Sequence, residues 1–314
     1  MNEDKVINFL QQQFLFSDGI GDDAAILANN YVISKDLLVE DIHFRREYVD
    51  SNSLACKALQ INLSDVAAMG AKALYVMLGI AIPKNYDEYV DGFLSNFVEE
   101  CKKHNLILIG GDTTASTDKL FISITIIGTT NNPKRRRAAK IGDIICVAGN
   151  LGYAHIGLQA FERKLVGFEK FKEFFLKPKA AMQEALWISE QIAVTAMMDI
   201  SDGLVVDLKK LCKASSMTGI INIDNLKTTK IFLNTCQDLD LDSLSVQLVG
   251  GEDYGLLMTV KAELYEEFAS NFLSKFCYPL KKIGKIIAGN PGEVVFDQPV
   301  ELKSKIFSHF GELN

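Results

Sequence analysis

The sequence has no apolar run long enough for a membrane-spanning helix. The apolar run at residues 74–82 is too short to cross a bilayer and is typical of a buried strand. The chain also starts without the basic stretch and apolar core of a signal peptide. We therefore expect a cytoplasmic protein that does not interact with a membrane.

Paired cysteines and an excess of positive charge are also absent. The six cysteines are scattered without a Cys-x-x-Cys pair, which favours reduced, mostly buried thiols over a zinc site or a disulfide framework. The net charge is -7, and no basic cluster is larger than the four residues at 134–137. These features argue against a nucleic-acid-binding surface.

Two common nucleotide-binding signatures are missing as well. The sequence contains no Walker-type Gly-x-x-x-x-Gly-Lys-Ser/Thr motif and no His-Arg-Asp loop of a protein kinase. The common nucleotide-binding folds are therefore not supported.

The length and the pattern of the chain indicate two domains. At 314 residues, the chain can form one large or two medium domains with proper cores. Residues 131–140 carry Asn-Asn-Pro, four basic residues and no apolar periodicity. We place a boundary there, which gives domains at residues 1–137 and 138–314.

The most informative segment is a helical stretch at residues 54–69. It is apolar on most sides, and Ile61 and Ala68 share a face with Asp65. A buried carboxylate is costly unless it is paired or holds a cation. Asp65 is therefore either hydrogen-bonded to a neighbouring loop or part of a cation site.

Further acidic residues lie next to glycines or at strand ends, which favours the cation site. They are Asp22, Asp23, Asp36, Asp112, Asp199 and Asp202. Two carboxylates about 5 Å apart repel by roughly 3 kcal/mol at an effective dielectric of about 20, so a cluster needs cations. Oxygen ligands without His or Cys point to Mg²⁺, through which an acidic protein can bind a polyphosphate.

Six motifs in a fixed order resemble those of the thiamine-monophosphate kinase family, within the superfamily of aminoimidazole ribonucleotide synthetase. The resemblance spans residues 19–260, with a weaker echo at residues 307–310. The motifs are Gly-Ile-Gly-Asp-Asp, Ser-x-Asp, Asn-Leu-Ser-Asp-x-Ala-Ala-Met-Gly-Ala, Gly-Gly-Asp-Thr-Thr, Asp-x-Ser-Asp-Gly-Leu and Gly-Gly-Glu-Asp-Tyr.

The resemblance implies a fold and a reaction. The fold is α/β (α+β) and PurM-like, with an N-terminal mixed-sheet domain that dimerises and a C-terminal α/β domain. The reaction is ATP-dependent phosphorylation of thiamine monophosphate to thiamine diphosphate, by direct transfer with several Mg²⁺ ions. The partners are thus ATP, thiamine monophosphate and a second copy of the chain.

The resemblance also implies roles for single residues. Gly111, Asp112, Arg136 and Ser201 correspond to nucleotide contacts, with Arg135 or Arg137 as alternatives to Arg136. The substrate positions are His43, Glu252 and Phe307. The metal positions are Asp23, Ser34, Asp36, Asp65, Asp112, Asp199 and Asp202. A phosphate acceptor is already ionised at neutral pH, so we expect no general base.

Two positions depart from the family pattern. Lys35 stands where a small hydroxyl residue is usual, and it points either into the acidic site or, by strand alternation, to the opposite face. Ser304 stands where an aromatic residue is expected to pack on thiamine, which leaves Phe307 or Phe310 as substitutes.

Other functions within and outside the superfamily are alternatives. A selenophosphate-forming enzyme would need a cysteine near the first glycine loop, but the first cysteine is Cys56. A hydrogenase-maturation relative would end in cysteine, whereas this chain ends in Asn314. An imidazole-ring-closing synthetase and a binding protein for nucleotides or divalent cations without catalysis remain.

Overall fold

The computed structural model describes residues 3–13 and 20–303, which form helices and two mixed β-sheets. The helices are α1 (Glu3–Gln13), α2 (Ser51–Ala68), α3 (Asp87–Lys103), α4 (Tyr153–Glu162), α5 (Glu169–Leu176), α6 (Met182–Ser189), α7 (Leu204–Ala214), α8 (Lys230–Asp238), α9 (Ser243–Val249) and α10 (Tyr265–Phe276). The strands are β1 (Ala25–Ile26), β2 (Tyr31–Val39), β3 (Lys72–Ile82), β4 (Ile107–Ala115), β5 (Phe121–Thr129), β6 (Ile144–Ala148), β7 (Val194–Asp199), β8 (Thr218–Ile221), β9 (Leu256–Val260), β10 (Lys281–Ile287) and β11 (Glu293–Phe296).

The first sheet has five strands in the order β1-β2-β5-β3-β4. Its pairs are antiparallel except for β3 and β4, which run parallel because α3 forms the crossover between them. Alternate residues of β5, namely Ile122, Ile124 and Ile126, are buried on the face that α2 covers. The remaining side chains of the sheet lie on a second face, which we call the open face.

The second sheet has six strands in the order β11-β8-β10-β6-β9-β7. Only β11 and β8 pair in parallel, so this sheet is also mixed. The predicted class, an α/β protein with a mixed N-terminal sheet and a second α/β half, is confirmed. The boundary after residue 137 stays a prediction.

Helix α2 is buried on almost all sides because it lies between the two halves. It packs against β2 and β5 of the first sheet, and against α6 and β7 of the second half. Asp50 caps its N-terminus by accepting a hydrogen bond from the backbone N–H of Ser53 at 2.7 Å. Strand β2 continues to Val39, and β4 runs through the whole Gly-Gly-Asp-Thr-Thr segment.

Within residues 3–13 and 20–303, no helix combines the length and the apolar character that crossing a bilayer requires.

Candidate active site

Helix α2 carries the residue at the centre of the site. Near its C-terminal end, Asp65 accepts a hydrogen bond from Oγ of Ser34 on β2. Carboxylate oxygens of Asp23, Asp65 and Asp199 all lie within 4.8 Å of one another. We call these three residues the acidic cluster. The partners of Asp65 are therefore a strand hydroxyl and two other carboxylates.

Both halves of the chain supply the acidic cluster and its surroundings. Asp199 is the last residue of β7 in the second sheet and accepts a hydrogen bond from Oγ of Ser64 at 2.8 Å. Asp36 lies two residues after Ser34 on β2, so both side chains are on the face of the sheet that points toward α2. The backbone N–H of Asp36 donates to Oδ1 of Asn62 at 3.1 Å. A single helix therefore holds acidic residues from both halves in place.

Three carboxylates of the site, those of Asp65, Asp199 and Asp36, bind protons more tightly than ordinary aspartates. Burial raises the pKa of Asp65 well above its usual value, and the charges of Asp36, Asp199 and Asp23 raise it further. Burial and the charge of Asp23 likewise raise the pKa of Asp199, and they raise the pKa of Asp36 to about 6. Placing several charged carboxylates here at neutral pH is costly without a compensating cation.

Arg136 supplies part of that compensation. Its Nη2 lies 2.6 Å from Oδ1 of Asp23, and its backbone N–H donates to Oδ1 of Asp22 at 2.9 Å. Nη1 of Arg135 lies 3.6 Å from Oδ2 of Asp22. Although burial opposes the charge of Arg136, the neighbouring Asp23 raises its pKa, so the guanidinium stays positive. The structure thus places Arg136 against the acidic cluster.

The segment with Ser201 and Asp202 leads into α7, and Asp207, which the sequence did not single out, holds it in place. Oδ2 of Asp207 accepts the backbone N–H groups of Ser201, Asp202 and Gly203 at 3.0, 3.0 and 3.1 Å. Lys210 Nζ bridges the carboxylates of Asp202 and Asp207. Ser201 does not cap α7, because Gly203 is the capping position. The only sequence signal for Asp207 was its helical spacing.

The substrate positions lie on two turns. His43 follows β2, and its Nδ1 accepts the backbone N–H of Val39 at 2.9 Å. Glu252 precedes β9 and forms an ion pair with Lys57 of α2 at 2.9 Å. The next residue, Asp253, accepts the N–H of Gly152 at 2.6 Å and so holds the start of α4. Phe307, together with Ser304 and Phe310, lies outside the described residues.

Asp112 and Gly111 are not brought to the acidic cluster of their own chain. They lie on β4, three strands from β2, which corresponds to roughly 14 Å. The cross-strand row that contains Asp112 also contains Gly79, Ser123 and Leu37, so Asp112 belongs to the open face and not to the face of Asp36. At Gly111, a Cβ atom would lie 1.8 Å from the carbonyl oxygen of Leu78, so a side chain does not fit.

Lys35 also points to the open face. Because β2 continues past it without interruption, its exposed side chain alternates with the inward-facing Ser34 and Asp36. Of the two orientations that the sequence left open, the structure shows the outward one.

Comparison with known proteins assigns the family. The family described as "AIR synthase related protein, N-terminal domain" matches residues 21–130, and its C-terminal counterpart matches residues 140–297. A thiamine-monophosphate kinase of Buchnera aphidicola subsp. Schizaphis graminum is 36% identical over 251 residues, or 77% of this chain and 76% of that protein. The Haemophilus influenzae enzyme of the same name is 32% identical over 302 residues, or 90% of this chain and 88% of that protein. The chain belongs to the thiamine-monophosphate kinase family.

Solved structures agree with this family assignment. The structure described as AaThiL complexed with AMPPCP and TMP has a TM-score of 0.87 at 27% identity, covering 98% of this chain and 97% of that one. A thiamine monophosphate kinase from Aquifex aeolicus has a TM-score of 0.82 at 26% identity, covering 94% and 96%. The hydrogenase maturation protein HypE in complex with ATP has a TM-score of 0.70 at 17% identity, covering 87% and 83%, and shares the fold.

Proposed function

We propose that this member of the thiamine-monophosphate kinase family transfers the terminal phosphoryl group of ATP to thiamine monophosphate. The products are thiamine diphosphate and ADP. The observation that carries the proposal is the convergence of Asp23, Asp65 and Asp199 within 4.8 Å, beside Arg136. Such a site suits a reaction in which two highly charged phosphate groups must be brought together.

The acidic cluster fits Mg²⁺. Its donors are all carboxylate oxygens, burial and the neighbouring carboxylates raise the pKa values of Asp65 and Asp199, and the hydroxyl of Ser34 lies beside Asp65. Asp23, Asp65 and Asp199 would hold the metal, with Asp36 next to them. When bound, Mg²⁺ would neutralise the charge of the phosphate oxygens during transfer.

The protein's own residues position and neutralise the reactants. The accepting phosphate oxygen of thiamine monophosphate is ionised at neutral pH, so no side chain has to remove a proton from it. Arg136 is a fixed positive group beside Asp23 and suits the phosphates of the nucleotide. Asp207 holds the backbone of Ser201 and Asp202 at the start of α7, where we place a further part of the nucleotide site. Catalysis then consists of alignment and charge stabilisation.

The active protein in this proposal is a homodimer joined through the open face. This face carries the exposed apolar side chains of Leu37, Met77, Ile107 and Phe121, which form the kind of surface that a second copy buries. A two-fold axis parallel to the strands would lay β4 of one copy over the β2 edge of the other. Asp112 of each copy would then complete the site of its partner.

The edge of β2 beside Asp36 is open enough to admit the Asp112 side chain of the second copy. Strand β1 pairs only with Val32 and Ile33, so among the described strands none covers β2 from Ser34 onward on that side. In this arrangement Asp112 can be a ligand although its own chain holds it far from the acidic cluster.

Product analysis tests the proposed function. With Mg²⁺, ATP and thiamine monophosphate, we expect thiamine diphosphate and ADP in equal amounts, quantified by chromatography, and no product after addition of a metal chelator. ATP binding without turnover would support the alternative of a non-catalytic binding protein. ADP and free phosphate without thiamine diphosphate would contradict the proposed acceptor.

A further inference from the structure

Lys57 is a fully buried lysine in the middle of α2, and the site described so far gives it no role. Its side chain is 1% exposed. An ammonium group is among the groups least often buried, because it loses its hydration. Burial accordingly lowers the pKa of Lys57, while the charge of Glu252 raises it again. The free-energy cost of burying this charge must be offset by an interaction with a partner, and such a cost is tolerated where the pair has a function.

The contacts of Lys57 converge on Glu252. Its Nζ lies 2.9 Å from Oε1 and 3.0 Å from Oε2 of Glu252, so the ammonium holds both carboxylate oxygens. Nζ also donates to the carbonyl oxygen of Phe175 at 3.4 Å and lies 3.6 Å from the centre of the Phe175 ring. These acceptors use the three N–H groups of the ammonium. Lys57 therefore acts on a substrate through Glu252 and not by direct contact.

Glu252 is held in a conformation that needs support. Its backbone φ is +64°, in the left-handed region that non-glycine residues rarely adopt. Its N–H donates to the carbonyl oxygen of Ser201 at 2.7 Å, which ties it to the segment at the start of α7. Its side chain is 29% exposed, so the carboxylate held by Lys57 still reaches the surface of the site.

Lys57 also has a fixed relation to the acidic cluster. Lys57 and Ser64 are seven residues apart on α2 and therefore project from nearly the same face, about 10 Å apart along the axis. Ser64 holds Asp199 of the acidic cluster, and Lys57 holds Glu252. One face of one rigid helix thus sets the separation between the metal-binding carboxylates and the carboxylate expected to contact the substrate.

We propose that Lys57 is a positioning residue for the binding of thiamine monophosphate. Lys57 orients the carboxylate of Glu252 toward the organic part of the substrate and holds it at a fixed distance from the acidic cluster. The inference rests on the proposed function. The ion pair between Lys57 of α2 and Glu252, just before β9, then determines the selectivity for thiamine monophosphate and leaves the binding of ATP unaffected.

Steady-state kinetics of Lys57→Met, Glu252→Gln and the double variant test this inference. We expect Lys57→Met to raise the KM for thiamine monophosphate about tenfold or more, with the KM for ATP within about twofold of the parent. The double variant should be no worse than the poorer single variant, because both changes disrupt one unit. It also contains no unpaired buried charge, so it serves as the folded reference if Lys57→Met does not fold.

Gln60→Met is the matched control on the same helix. Gln60 is a buried polar residue whose Oε1 accepts the N–H of Ala180 at 2.9 Å, away from Glu252. We expect this variant to lose stability while the ratio of the two KM values stays at the parent value. If Lys57→Met changes only stability, as Gln60→Met does, or if its effect adds to that of Glu252→Gln, the positioning role is overturned. A parent protein without turnover would instead overturn the proposed function, and this inference with it.

Discussion

Replacing Asp65 by Asn is expected to lower turnover by about 10³-fold or more while making the metal-free protein more stable at pH 7. The loss of activity follows from removing the central carboxylate of the acidic cluster. The gain in stability follows from removing a charge that Asp36, Asp199 and Asp23 repel. Asn keeps an oxygen that can accept the hydrogen bond from Ser34.

The pH dependence of this effect has a defined sign. The pKa of Asp65 is raised in the folded state, so its contribution to stability is fully present below the unfolded value and is lost as the pH rises through the folded value. Asp36 behaves in the same way between its ordinary pKa of 3.8 and about 6. Chemical denaturation without metal should therefore show the largest gain for Asp65→Asn, about 1–3 kcal/mol, near neutral pH and little gain near pH 4.

Asp143→Asn is the matched control for this prediction. Asp143 is also buried, but Oδ2 of its carboxylate accepts hydrogen bonds from Oγ1 of Thr195 at 2.6 Å and from the N–H of Lys140 at 2.9 Å. Its replacement should lower the free energy of unfolding by about 1–3 kcal/mol and leave turnover close to that of the parent. If Asp65→Asn lowers stability as Asp143→Asn does, Asp65 has a structural role and the cation site is wrong.

The second large effect concerns Asp112, which we expect to act in the partner's active site. Asp112→Asn and Asp65→Asn homodimers should each be inactive. Dissociating them together and reassociating them should restore about a quarter of the parent activity, because half of the dimers are mixed and each mixed dimer has one intact site. The physical reason is that Asp112 lies on the open face, three strands from β2.

Two observations would contradict this arrangement. One is the absence of any regained activity in the mixture when co-purification of differently tagged chains shows that mixed dimers have formed. The other is a fully active monomer at micromolar concentration. Either result would mean that Asp112 serves its own chain or has no role in the site.

The sequence placed the three carboxylates of the acidic cluster among seven expected metal positions, but it did not separate them from Asp112 and Asp202. Asp65 lies in a helix that is apolar on most sides and therefore had to be buried, and a buried carboxylate needs a partner. Asp23 directly follows Asp22, and Asp199 lies three positions before Asp202, both in segments that match the family motifs. The structure adds that Ser64, a neighbour of Asp65 on the same helix, holds Asp199.

The sequence was not sufficient where the answer depended on tertiary pairing. Gly-Gly-Asp-Thr-Thr is typical of a turn, but pairing with β3 keeps β4 extended through it and directs Asp112 to the open face. Lys57 pairs with Glu252, which is 195 positions away in the sequence. No local pattern predicts such a pair.

The stereochemical course of the transfer tests the central claim most directly, namely that the carboxylates hold cations and do not attack phosphorus. ATP made chiral at the transferred phosphorus by oxygen isotopes would be converted to thiamine diphosphate, and the configuration at that phosphorus determined. Direct in-line transfer between the two substrates predicts inversion. Retention of configuration would mean that a group on the protein is phosphorylated first, which would contradict the role assigned to Asp23, Asp65 and Asp199.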